Sequence, residues 1–172
     1  RRQRQMCIRD SMRTTPQVEE LIALQEQVMN GLPIKGFLSS SLGMRALMMN
    51  IQGNSDEGFS LMNDVITEAR RSGDKLFLSD NLATQAMLIH RSYPEKSYSM
   101  NFEAYTLAKE LNVRYVLVRA LTGLVVTCSA LHDAERYYSE LSQLVSQLGN
   151  SAKCPKLETA KKALHKKREK HS

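Results

Sequence analysis

With 172 residues, 42% of them hydrophobic, four Phe, six Tyr and no Trp, the chain has room for one domain with a real core and too little for two comfortable ones. Its net charge of +6 is uneven: residues 1–13 carry +4, residues 151–172 carry +6, and residues 14–150 carry −4. That distribution argues against a nucleic-acid-binding core, whose basic face would lie on the folded part. No run approaches ~18 consecutive apolar residues, so no membrane span is expected.

The chain opens Arg1-Arg2-Gln3, without Met, and reads as a piece or processed form of something longer. Residues 1–13 are an Arg-rich flank. Thr15-Pro16 is a helix start, with Thr as N-cap and Pro in the first turn. The apolar residues Val18, Leu21, Ile22, Leu24, Val28 and Met29 follow at helical spacing, and Gly31-Leu32-Pro33 ends the run. A long helix is then expected over 34–52, burying Phe37, Leu38, Leu42, Ala46 and Met49. Its partner follows the turn at Gly53-Asn54, with Asn54 and Glu57 spaced as a capping box and Phe59, Met62, Ile66 and Ala69 inward. Gly73-Asp74 closes this pair.

A second pair runs from about Leu76 to Tyr93 and from Pro94 to Leu111, the latter burying Tyr98, Phe102, Tyr105, Ala108 and Leu111. In the third pair, residues 116–131 are apolar nearly all round, which predicts cover on more than one side. Asp133 is placed to cap the helix that follows, with Tyr137, Leu141, Leu144, Val145 and Leu148 on its apolar side. After a short linker at 151–155, a basic helix with a thin apolar stripe (Leu157, Ala160, Ala163, Leu164) is expected to dock as a cap and fray beyond Lys166.

Small residues mark these pairs. Gly43/Ala46, Ala83/Ala86 and Ala120/Gly123 recur one helical turn apart, at offsets of 40 and 37 residues, and Gly58, Ser97 and Ala134 fall near the start of each second helix. A helix pair repeated with such a period is the signature of a stacked all-α array of about seven or eight helices. Small side chains at one register let neighbouring helices approach closely. The domain plan is therefore a basic flank at 1–13, a helical-repeat domain at 14–150 and a basic helix or tail at 151–172.

Catalytic patterns are missing. His90, His132, His165 and His171 have no ligand-spaced partner, so no metal site is expected. Ser39-Ser40-Ser41-Leu42-Gly43 lacks the leading Gly of a nucleophile elbow. Gly31-Leu32-Pro33-Ile34-Lys35-Gly36 lacks the order of a phosphate loop. Glu19/Glu20 and Asp56/Glu57 stand at helix starts, where capping accounts for them. Neither a catalytic set nor a cofactor is expected. Cys7, Cys128 and Cys154 form no C-x-x-C pair and fit reduced thiols in an intracellular protein, cytoplasmic or nuclear.

The small residues at Ala46, Gly58 and Val65, and again at Ala86, Ser97 and Ala104, resemble those of tetratricopeptide-like repeats. The longer period and the turn Gly53-Asn54-Ser55-Asp56-Glu57 are similar to divergent repeats of bacterial signal-transducing transcription activators and some eukaryotic scaffold subunits. The Trp, the paired Tyr and the terminal Pro of the ordinary repeat are missing. The resemblance implies antiparallel helix pairs in a right-handed α-solenoid whose first helices line a concave partner-binding surface. It carries the groove register onto Asn50, Asp80, Met87, His90, Arg91 and Thr127.

The expected role is a non-catalytic scaffold that binds a peptide, a helix of another protein or a second copy of itself. Two alternatives stand beside it. One is an effector-sensing or oligomerisation domain of a transcription regulator. The other is a nuclear complex subunit touching nucleic acid through Lys161, Lys162, Lys166, Lys167 and Arg168.

Overall fold

A computed structural model describes residues 20, 35–148 and 154–171. The expected N-terminal helix beyond Thr15-Pro16 (Glu20 apart), the flank at 1–13, and residues 151–153 of the linker lie outside the described residues, as do the side chains of Phe37 and Leu38. Among the described residues there are seven helices and no strand: α1 (Lys35–Gln52), α2 (Ser55–Ser72), α3 (Lys75–Ile89), α4 (Pro94–Glu110), α5 (Arg114–Thr127), α6 (Leu131–Gln147) and α7 (Pro155–His171). The chain divides into two compact units with the boundary between Phe77 and Leu78, inside the first turn of α3. No helix among the described residues is long and apolar enough to cross a membrane.

Three helix ends share one construction. After α1, α2 and α4 the chain passes through Gly53 (φ +101°), Gly73 (φ +73°) and Asn112 (φ +54°). The next residue's N–H then reaches back to a carbonyl of the last turn: Asn54 to Met49 at 2.9 Å, Asp74 to Ala69 at 3.0 Å, Val113 to Ala108 at 2.9 Å. A left-handed residue is what lets that bond close, and Gly and Asn adopt it at least cost.

In the first unit α1 packs on α2. Gly58 is buried, and a Cβ there would stand 2.8 Å from the Ala46 carbonyl oxygen and 2.3 Å from Asn50 Nδ2. Hydrogen is the largest substituent the contact admits. Met62, Val65, Ile66 and Ala69 bury the rest of the α2 stripe.

The second unit is built around α5, which packs against α4, α6 and α7. The apolar run explains this: Val116, Ala120, Leu121, Leu124 and Val125 are all fully buried and leave no broad wet face. Leu121, Leu124, Val125, Tyr137, Leu141 and Val145 form a continuous core with Ala160 and Leu164 of α7, so the final helix closes the unit.

Local expectations are corrected at four places. Asn54 precedes α2, but its side chain makes no cap bond; at φ −86° and ψ 56° its backbone is outside the extended region that aims a capping side chain. Asp133 is not a cap either. The third turn falls early, at Cys128-Ser129-Ala130, so Asp133 lies inside the first turn of α6, where it meets Arg136 at 3.5 Å. On α4 the buried stripe is Ser97, Asn101, Ala104 and Ala108, and Phe102 is 46% exposed. Close contact demands the slim residues, so the rings move to the flank and associate there: Tyr98–Phe102 and Phe102–Tyr105 at 6.3 Å, Tyr105–Tyr137 at 6.2 Å edge-on. Lastly, α7 does not fray after Lys166 but continues to His171.

Candidate functional site

The small residues of α3 and α5 carry out two tasks. On one side they admit α4: Ser97 Oγ donates to the Ala86 carbonyl at 2.7 Å, and Asn101 Nδ2 donates to the Ser97 carbonyl at 2.9 Å. The Asn101 amide lies so close to Gly123 that a Cβ there would meet it at 2.3–2.4 Å. On the other side Ala83, Ala86 and Gly123 are too short to fill the space between α3 and α5. A pocket of ≈ 160 Å³ remains, with Asn101 also on its wall.

Its rim is chemically divided. Met87 and Val126 continue the apolar wall. Arg119 of α5, His90 just after α3 and Lys156 of α7 bring polar groups to the same space. Arg119 is held in place: its Nη1 donates to Asp80 Oδ1 at 2.6 Å and to Thr84 Oγ1 at 2.8 Å. Lys156 Nζ approaches Met87 Sδ at 3.7 Å. Burial, and after it the positive charge of Arg119, holds the Lys156 ammonium below the ordinary lysine pKa. His90 Nδ1 stands 2.7 Å from the Met87 carbonyl and donates to it, since a carbonyl only accepts.

The six residues of the expected groove fare differently. Met87 and His90 line the pocket, and Asp80 fixes Arg119, which lines it too. Arg91 is exposed on the turn after α3. Thr127 turns its hydroxyl back to the Gly123 carbonyl at 2.8 Å. Asn50 belongs to the first unit, where its amide donates to the Ala46 carbonyl at 2.9 Å.

The basic set on α7 also separates. Lys161, Lys162 and Lys166 are exposed. Lys167 Nζ donates to the Cys128 carbonyl beyond the end of α5, and burial lowers its pKa. Arg168 holds Glu135 Oε1 through Nε at 3.0 Å and Nη2 at 2.9 Å. Two members of the basic cluster therefore fasten α7 to its own unit.

Arg119, Lys156 and Asn101 were not expected at a site. Arg119 did leave a signal, as the one charged residue in the apolar stretch 115–131. Lys156 is hidden among the other lysines of its helix. Among the described residues, no group of three or more His, Cys, Asp or Glu side chains is placed to hold a metal. In comparison with known proteins the chain matches no family model, no curated protein and no solved structure.

Proposed function

We propose that the chain is a non-catalytic helical-repeat scaffold of a larger intracellular regulator or complex, binding a peptide or helix of another protein. In this reading the helix pairs continue one another as a right-handed, tetratricopeptide-like superhelix, and the first helices form the receiving face. The observation that carries it is the pocket left by Ala83, Ala86 and Gly123, with Met87 and His90 at its rim. Its lining is mostly apolar with a few convergent polar groups, the character of a recognition site. Met87, 40% exposed, adds an adaptable apolar contact.

The test is capture of partner peptides from a displayed library by the full chain. Met87→Asp should abolish capture, because the carboxylate would sit in the apolar wall, while Lys161→Ala on the far-exposed helix surface should not. Peptides held equally by both variants would remove this face from the function.

A second reading is favoured by the outward lysines of α7. Lys161, Lys162 and Lys166 are exposed and offer a surface for phosphates. Replacing the three by Ala should flatten the salt dependence of any nucleic-acid binding. An unchanged slope would end that reading.

A further inference from the structure

We infer that the pocket between α3, α5 and α7 binds an organic carboxylate with a compact apolar body, its anionic end held by Lys156 and Arg119. The inference rests on the same pocket being the recognition site and names the chemistry it selects.

Charge comes first. Arg119 is balanced by Asp80, whereas Lys156 faces no carboxylate among the described residues, and Met87 Sδ is the one hydrogen-bond contact of its Nζ there. The pocket thus retains one uncompensated, half-buried positive charge, and a monoanion is its complement. Geometry adds a second donor set. Both bonds of Arg119 leave from Nη1. Its Nε–H and Nη2 hydrogens carry no hydrogen bond among the described residues, and that edge of a guanidinium suits a carboxylate bidentately.

Size and polarity fix the remainder of the ligand. The space of ≈ 160 Å³ is close to the ~150 Å³ that accommodates benzene in a dry cavity. Ala83, Ala86 and Val126 offer it no hydrogen bonds from their side chains. A body of about six carbons attached to one carboxylate satisfies walls and cations together. A free short-chain acid and the C-terminal residue of a peptide both present this chemistry.

The experiment titrates the full chain with hexanoate, followed by NMR at the Met87 methyl and the Ala83 and Ala86 methyls. Saturable shifts are expected at all three. Hexan-1-ol, equal in shape but uncharged, should bind roughly tenfold or more weaker, the worth of a hydrogen bond to a charged group. Lys156→Met should weaken hexanoate by a similar factor, Lys156→Arg should largely retain it, and the exposed control Lys96→Met on α4 should not change it. Circular dichroism of each variant establishes that the helices persist. A second arm compares a short peptide ending in a leucine carboxylate with its C-terminal amide, and tighter binding of the acid than hexanoate identifies a peptide end as the source. Equal affinity for acid and alcohol, or hexanoate binding untouched in Lys156→Met, overturns the inference. If library peptides bind while hexanoate does not, the carboxylate assignment fails and the scaffold reading stands. If hexanoate binds and no peptide does, the reverse holds.

Discussion

The side-chain amide of Asn101 rests on the α-carbon of Gly123, closer than any Cβ could tolerate, and this contact joins α4 to α5. Gly123→Ala should therefore destabilise the protein by ~1–3 kcal/mol, as overpacking does. Asn101→Ala removes the obstruction, at the loss of its buried bond to the Ser97 carbonyl. The double variant should be more stable than the sum of the single effects, and a urea-denaturation cycle measures that coupling.

Gly58 differs in what it meets. Part of the obstruction there is Asn50 Nδ2, the end of a side chain, but the Ala46 carbonyl oxygen at 2.8 Å is backbone. Gly58→Ala should cost ~1–3 kcal/mol, and adding Asn50→Ala should recover only part of it. Full recovery in the denaturation cycle would mean that α1 shifts more readily than a packed helix should.

Leu164 is 4% exposed and belongs to the core shared by α5, α6 and α7. Leu164→Ala should remove ~2–5 kcal/mol. Lys162→Ala, on the exposed side of the same helix, should change stability by no more than ~0.5 kcal/mol. Thermal melts of the pair separate a packed terminal helix from a solvated tail.

Tyr98 supplies a pH signature. Its hydroxyl lies 3.3 Å from that of Tyr137, and this bond, followed by burial, pushes its pKa up to about 12. The folded state then keeps a proton that the unfolded chain releases near pH ~10. The contribution is fully present below pH ~10 and is lost as pH rises toward about 12. Ultraviolet titration of tyrosinate should show late ionisation at Tyr98, beside the burial-raised Tyr115, and Tyr137→Phe should bring Tyr98 alone back toward the ordinary value.

What the sequence made legible was the seam. Ala46 with Gly58 and Ala86 with Ser97 meet because close approach restricts side-chain size at fixed register, and that restriction leaves a pattern along the chain. The aromatic residues of α4 lie off the buried stripe for the same reason. Hydrophobicity alone directs Tyr98, Phe102 and Tyr105 inward, yet the narrow contact admits only Ser97, Ala104 and Ala108 beside Asn101. The turn between α5 and α6 leaves no local mark, because Thr127-Cys128-Ser129-Ala130 contains neither Gly nor Pro and the apolar run continues to Leu131. Met87 and His90, two of the positions that the resemblance implies for a groove, line the pocket. Arg119 and Lys156 lie outside that register, because they meet Asp80 and Met87 only after α3, α5 and α7 have assembled, and no local spacing encodes that encounter.

The enclosure of α5 bears on how a growing polypeptide matures. The α1–α2 hairpin, joined by Gly53-Asn54, can form from neighbouring segments as soon as both leave the ribosome. The part of α5 that α7 covers must wait for Ala160 and Leu164, which are translated more than thirty residues after α5 ends. At ~5–20 residues per second that is an interval of about two to seven seconds, during which this part remains open to water and to chaperones. Ribosomes stalled before Pro155 should accordingly hold a nascent chain that proteases cut within α5 and spare in α1–α2.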